Sequence, residues 1–136
     1  MAKSNAKFAK QIKAFGKVAE KTANQETRKL ALGIGLKGVV MKSPVDEGTF
    51  RGNWNVGIDN ADLSTSEDKQ DKAGSTTISE GGAIIGRFKN GQNIVISNNL
   101  PYGNRLEFGW SPKSQGMIRR TFIEMKAWLK SRNKKV

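Results

Sequence analysis

The chain has 136 residues, and its 24 lysines and arginines against 12 acidic residues give a formal charge of +12 at pH 7. It contains neither cysteine nor histidine, which excludes disulfides, thiolate chemistry and the commonest general base and metal ligand. The length suits a single domain, and a hydrophobic fraction of only 36% favours burial that is completed against copies of the same chain.

The charge is divided into three blocks. Residues 1–42 carry ten basic and two acidic residues (+8), residues 43–110 carry six and nine (−3), and residues 111–136 carry eight and one (+7). Such a chain can bind nucleic acid through its basic ends or pair basic and acidic faces between subunits. The lysine-rich N-terminus has no unbroken apolar run, so we expect neither a signal peptide nor a membrane span, and folding in the cytoplasm.

Apolar and small residues recur every three or four positions from residue 8 to about residue 41: Phe8, Ile12, Phe15, Ala19, Ala23, Thr27, Leu30 and Ile34. This spacing predicts a long helix with most of its lysines off the stripe. A break or bend is expected near Gly16 or at the later glycines, since an interior glycine costs up to ~1 kcal/mol relative to alanine. Pro44 should end the helix.

The later glycines, Gly33, Gly35 and Gly38, spell G-x-G-x-x-G. A nucleotide-binding loop needs a strand before this motif and a helix after it. Because the motif falls inside a helical pattern, close packing of helix backbones is favoured instead.

Residues 43–54 form a turn-rich connection. Asp46 suits a tight turn with Glu47 and Gly48, or a cap on a short helix that begins at Gly48. The adjacent carboxylates have no third acidic neighbour in the sequence, which disfavours a metal or acid–base role. Beyond them, the alternation of Trp54, Val56 and Ile58 predicts a half-buried strand near 53–59.

The polar residues 60–75 predict a mobile loop. Residues 76–88 favour a helix with a glycine-rich centre, and a strand remains the alternative. A second strand is predicted near 92–98, after the turn signal Asn90-Gly91. Pro101 then forces a corner.

Tyr102, Leu106 and Trp110 follow this corner at the spacing of a short helix. After a loop at 111–116, the spacing of Ile118, Phe122, Met125 and Leu129, widened by Trp128, predicts an amphipathic C-terminal helix. Residues 131–136 read as a basic tail. The expected fold is one α+β domain over 1–136: a long N-terminal helix, a small mainly antiparallel sheet, and a C-terminal helix packed on the sheet.

Four motifs stand in order between about residues 39 and 122: S-P-V-D-E-G-T-F-R-G-N-W, I-S-N-N-L-P-Y, L-E-F-G and G-M-I-R. In this order and spacing they resemble the small tail-completion or neck proteins of long-tailed bacteriophages. Two positions depart from the pattern of that family: Glu47 replaces a smaller Thr or Ser, and Gly103 replaces the usual Ala.

The resemblance implies a non-enzymatic structural protein of the virion, made in the host cytoplasm and located at the head–tail junction. It implies a homo-oligomeric ring, expected to be a hexamer, around the DNA path. Its partners would be further copies of the chain, the head-side connector or adaptor, the tail terminator and, without sequence readout, the DNA in the channel. No cofactor, metal, catalytic residue or membrane is expected.

Ten residues of these motifs are candidates for holding the subunit together or for contacting its neighbours: Asp46, Arg51, Trp54, Asn98, Asn99, Pro101, Tyr102, Arg105, Glu107 and Arg119. The asparagines can bond local backbone at the corner, and Tyr102 can bury its ring and keep its hydroxyl on a partner. The arginines can form charge-assisted bonds with Glu107 or Asp46. The alternative function is a small basic nucleic-acid-binding protein; no residue spacing supports an enzyme with a Ser–Lys or carboxylate pair.

Overall fold

The computed structural model describes the backbone of residues 2–108 and 116–133. Trp110, most of the predicted 111–116 loop and the end of the basic tail lie outside the described residues. So do the side chains of Phe8, Phe15 and Ala19, which belong to the predicted N-terminal stripe.

The predicted long N-terminal helix is confirmed. Helix α1 runs over Ala2–Leu30 and passes through Gly16 without interruption. It continues as a π-helical segment, Ala31–Leu36, and then as α2, Lys37–Lys42. The irregularity therefore falls among the later glycines, where the backbone widens to the i→i+5 pattern rather than breaking. Ser43 is extended (φ −70°, ψ 141°) and ends the helix one residue before Pro44.

The two predicted strands are also confirmed. A short helix α3, Thr49–Gly52, leads into β1, Trp54–Ile58. Strand β1 pairs antiparallel with β2, Ile94–Asn98, with Val56 opposite Ile96. Because side chains alternate along a strand, Trp54, Val56 and Ile96 share one face of this two-stranded sheet.

Helix α4, Ser75–Ile85, confirms the helical interpretation of residues 76–88 over the strand. It packs on β1 and on the π-helical segment through Gly81, where an added Cβ would stand 2.4 Å from a Leu36 methyl carbon. The absence of a side chain there lets α4 lie directly on the core.

Two helices follow the sheet. Helix α5, Gly103–Glu107, turns back after the Pro101 corner, and α6 is Met117–Asn133. The hydrophobic core lies between these helices, the N-terminal segment and the sheet. It contains Leu36, Val40, Phe50, Trp54, Val56, Ile85, Leu106 and Met117. These elements confirm the α+β class, with helices gathered around a small antiparallel sheet.

Helix α6 uses its predicted apolar face only in part. Its buried contacts are Met117 and Thr121, and Thr121 sits so close to Gly38 of α2 that a Cβ there would meet its side chain at 2.8 Å. Helix α6 reaches the sheet side near Gly35, whose immediate neighbours include Ile96 and Met125. Because α6 leans on the small residues of the N-terminal segment, Ile118, Phe122 and Leu129 remain 52%, 58% and 46% exposed.

Candidate assembly interface

The motif residues converge on one region, which begins where α2 meets the sheet. Ser43 Oγ donates to the Val39 carbonyl at 2.6 Å and accepts a hydrogen bond from Trp54 Nε1 at 2.7 Å. Both Ser43 and Trp54 are buried, so each satisfies a polar group that would otherwise be costly to bury. This pair fixes the end of the long helix to the first strand.

Arg51 binds backbone rather than a carboxylate. Its guanidinium donates to the carbonyls of Ser43 (3.2 Å), Met41 (3.1 Å) and Lys72 (2.7 Å). Met41 and Ser43 lie at the C-terminal end of α2, where a cation favours the helix dipole and the last carbonyls lack helical partners. Arg51 thus ties the helix end to the segment that precedes α4. Asp46 lies nearby in sequence, exposed in the turn.

Of the two asparagines predicted to hold the corner after β2, Asn98 does so. Asn98 Oδ1 accepts the Leu100 N–H at 3.2 Å, and its amide nitrogen donates to the Phe50 carbonyl at 2.9 Å. Asn99 reaches away from the corner and donates to the Asp62 carbonyl at 3.1 Å. Pro101 is exposed at the tip of the corner.

Tyr102 packs its ring against Phe50 at a centroid distance of 5.7 Å, and Phe50 meets Trp54 edge-on at 5.8 Å. Burial of the Tyr102 side chain away from water raises the pKa of its hydroxyl, and the negative charge of Glu67 raises that pKa further. The aromatic row therefore links the corner to α3 and β1.

Of the arginine–carboxylate pairs that the sequence left open, Glu107 and Arg119 form one, with Arg119 Nε 3.1 Å from Glu107 Oε2. The same carboxylate accepts the N–H groups of Ile118 (2.8 Å) and Arg119 (3.1 Å) in the first turn of α6. Arg119 also lies over the ring of the exposed Phe108, 4.9 Å from its centroid. Glu107 thus caps a helix that begins ten residues later in the chain.

Several candidate residues surround one open pocket of about 360 Å³, namely Trp54, Asn98, Asn99, Pro101 and Glu107, together with Phe50, Met117 and Ile118. Tyr102 and Arg119 adjoin this set through Phe50 and Glu107. Arg51 instead contacts the C-terminal end of α2, and Arg105 is exposed on α5. The structure brings most of the candidate residues together, but it leaves Asp46, Arg51 and Arg105 outside this group.

The sequence reasoning missed the residues that hold the segment 59–74. Asn53 donates to the Thr49 and Ser66 carbonyls and accepts the Ser66 N–H at 2.8 Å. Asn55 donates to the Asp62 and Ser64 carbonyls at 3.1 and 2.7 Å. The sequence does contain a signal for these contacts, namely asparagines in and beside a predicted strand. Asparagine is depleted in strands, and a buried asparagine side chain needs a specific hydrogen-bond partner.

This segment has no helix or strand, and its backbone passes so close to Gly52 that a Cβ there would stand 2.2 Å from the Lys69 carbonyl oxygen. The mobility predicted for residues 60–75 stays a prediction. What the structure adds is a set of anchoring contacts to α3 and to one face of the sheet.

The N-terminal helix presents a basic surface. Lys10, Lys13, Lys17 and Lys21 are exposed, and Ile12 is 56% exposed. The base of α1 is fastened by Arg28, whose Nε donates to the Phe88 carbonyl at 3.0 Å. The part of α1 between residues 9 and 14 therefore exposes both basic and apolar side chains.

In the part of the chain that the structure describes, no group of three or more acidic, histidine or cysteine residues is arranged to hold a metal ion. Within the same residues, no helix has the length and apolar character needed to cross a membrane. A comparison of the chain with protein-family models, curated proteins and solved structures finds no match.

Proposed function

We propose that this chain is a non-enzymatic, ring-forming subunit of the head–tail junction of a long-tailed bacteriophage, of the tail-completion or neck type. The proposal rests on the ordered motif set and on the contacts that its residues make with one another. Residues from all four motifs, separated by up to 76 positions between Ser43 and Arg119, meet around the Trp54 and Glu107 contacts.

Three charged side chains of these motifs make bonds that hold the subunit together. Arg51 binds carbonyls at a helix end, and Glu107 caps α6 and pairs with Arg119. Such bonds hold shape, which is what a subunit of a ring must keep while it contacts several neighbours. The exposed apolar residues of α6 supply surface for those contacts, since large apolar patches on a soluble subunit mark interaction sites.

Disruption of the gene in a phage that carries it tests this function. We expect DNA-filled heads and separate complete tails, because the junction cannot close, and we expect the purified chain to restore joined, infectious particles from that mixture. Joined particles in the absence of the gene product would overturn the proposal. Electron microscopy of the restored particles would give the copy number, for which six is the expected value.

A nucleic-acid-binding role is the second candidate, and the exposed lysines of α1 favour it. Contacts between lysines and phosphates release counterions, so affinity for duplex DNA should fall steeply as salt is raised. Duplex retention at low salt, lost in a variant with Lys10, Lys13 and Lys17 changed to Gln, would support this role. No retention of duplex DNA at low salt would rule it out.

A further inference from the structure

The two faces of the sheet carry different surfaces. Trp54 and Ile96 lie on the face that looks toward α6, whereas Asn55 and its partner Ser97 lie on the opposite face. The segment 59–68 is fastened to that opposite face through Asn55 and Ser97. A feature carried by this segment therefore points away from the α6 side of its own subunit.

The segment carries an apolar side chain that its anchors turn outward. Leu63 is 70% exposed, although both of its neighbours are held: the Asp62 carbonyl accepts bonds from Asn55, Ser97 and Asn99, and the Ser64 carbonyl accepts one from Asn55. Asp62 Oδ1 also accepts the Ser64 N–H at 3.0 Å. A leucine presented on a fixed backbone loses little further freedom when it binds, which favours its use as an anchor.

A groove of matching character lies on the other side of the subunit, between the sheet and α6. It has a volume of about 140 Å³ and is lined by Val39, Trp54, Ile96, Ile118, Phe122 and Met125. An apolar cavity of about 150 Å³ holds a benzene-sized group, so this groove has room for a leucine side chain. Phe122 and Ile118 stand exposed along its rim.

The charges around the two features are complementary. Residues 59–68 contain four acidic and no basic residues, while residues 117–132 of α6 contain five basic residues and one acidic residue. Arg120 and Lys126 lie in the same two turns of α6 as Phe122 and are exposed; Arg119 lies there too, but it is paired with Glu107 of its own subunit. Opposite charges at the rim of a contact steer association and fix its orientation.

We propose that Leu63 of one subunit docks in the groove between β2 and α6 of a second copy, with the acidic residues of segment 59–68 facing the basic rim of α6. The contact joins two different surfaces on opposite sides of the subunit. Such a heterologous contact repeats around a closed ring when its rotation permits. The inference rests on the proposed function for its ring, but the contact itself needs only the surfaces described above.

Disulfide cross-linking tests the contact directly, because the natural chain has no cysteine. Leu63→Cys and Phe122→Cys chains, carrying different tags, are mixed at the highest soluble concentration and mildly oxidised. We expect a disulfide-linked pair made of one chain of each kind, and a ladder of multimers from a chain that carries both substitutions. The matched control pairs Phe122→Cys with Ile12→Cys, which is exposed to a similar extent.

A yield for the Leu63 pair no higher than that of the Ile12 control would overturn the proposal. So would predominant linkage of Leu63→Cys to itself, or a natural chain that remains monomeric at the same concentration. A second measurement avoids cysteine. In analytical ultracentrifugation, Leu63→Ser should raise the concentration at which the chain self-associates at least tenfold, without lowering the melting temperature. Val45→Ser, at another exposed apolar residue, should leave association unchanged.

The two proposals fail separately. If Leu63→Cys cross-links above control but the gene-disrupted phage makes normal particles, the proposed contact is supported and the head–tail function is contradicted. If that phage makes separate heads and tails but no cross-link rises above control, the head–tail function is supported and the proposed contact is contradicted.

Discussion

Glu107 on α5 and Arg119 on α6 hold the two helices together across the chain segment between them. Their ion pair measures 3.1 Å, and the Arg119 guanidinium also donates to the Glu107 carbonyl oxygen. The Glu107 side chain is only 10% exposed, whereas that of Arg119 is 57% exposed. A buried carboxylate with three donors, two of them backbone N–H groups of a helix start, is mainly a structural cap.

Removal of this cap should destabilise the subunit. Glu107→Ala leaves the first N–H groups of α6 without their acceptor, and we expect the free energy of unfolding to fall by about 1–2 kcal/mol. Urea denaturation measures the change. Glu80→Ala serves as the control, because Glu80 is 63% exposed and its ion pair with Lys69 spans 3.8 Å; such pairs contribute roughly 0–1 kcal/mol. Equal losses in the two variants would contradict the capping role.

The glycines of the G-x-G-x-x-G sequence make a second, internally controlled prediction. A Cβ at Gly38 would stand 2.8 Å from Thr121 of α6, whereas a Cβ at Gly33 would meet nothing within 4 Å. Gly38→Ala should therefore destabilise by about 1–3 kcal/mol through overpacking, and Gly33→Ala should stabilise by about 0.5–1 kcal/mol through helix propensity. Thermal unfolding of both variants decides this, and a shift of the same sign in both would refute the packing interpretation.

Much of the fold follows from local pattern. The alternation of Trp54, Val56 and Ile58 and the branched run at Ile94 gave the strands, and the spacing after Phe8 gave the long helix. Glycine placement alone did not reveal that Gly35 and Gly38, but not Gly33, face α6. That distinction depends on how the π-helical segment turns the later residues, which is a tertiary property.

The candidate site was harder to predict for the same reason. Arg51 was expected to meet a carboxylate, but its partners are carbonyls brought together by the fold. The roles of Asn53 and Asn55 depend on a loop with no periodicity of its own. By contrast, the local bond of Asn98 was predicted correctly, because turn chemistry is visible in a short stretch of sequence. The pair Glu107–Arg119 was one of several arginine–carboxylate pairings that the sequence left open, and the fold selects it.

Asn55 should control how the segment 59–68 presents Leu63. Asn55 is 8% exposed, and its replacement by Ala removes two bonds to the segment and leaves the Ser64 carbonyl without its partner. We expect a loss of about 1–3 kcal/mol and faster amide hydrogen exchange confined to residues 59–68. Self-association should weaken along with it. Unchanged exchange in that segment would show that Asn55 is not its anchor.

Asp71 should make the protein acid-sensitive. Burial by itself would raise the pKa of Asp71, but hydrogen bonds from the Thr77 N–H (2.7 Å), the Thr77 hydroxyl (2.8 Å) and the Gly74 N–H (3.1 Å) outweigh it and lower that pKa. These bonds also cap the start of α4. Because the unfolded chain then binds the proton more readily, the stabilisation is present above about pH 3.9 and is lost as pH falls through the lower native value.

Denaturation at a series of acidic pH values measures this dependence. Asp71→Asn should lower stability by about 1 kcal/mol at neutral pH and flatten the acid limb of the stability curve. Thr77→Val keeps the backbone N–H and removes the hydroxyl, so it should give an intermediate limb. An acid limb in Asp71→Asn identical to that of the natural chain would assign the sensitivity elsewhere.

Tyr102 allows the last prediction, because it is the chain's single tyrosine and its ionisation can be followed alone by ultraviolet absorbance. Desolvation of the ring and then the charge of Glu67 raise the pKa of Tyr102, so the native midpoint should lie above the value of about 10 found for a free tyrosine. The native state thus favours the neutral hydroxyl. Its contribution to stability is complete below about pH 10 and is lost as pH rises through the raised native value. In denaturant the midpoint should return to about 10, and in native Glu67→Gln it should fall only part of the way, since desolvation is the larger cause. A native midpoint equal to that of the denatured chain would mean that the ring does not pack on Phe50 in solution.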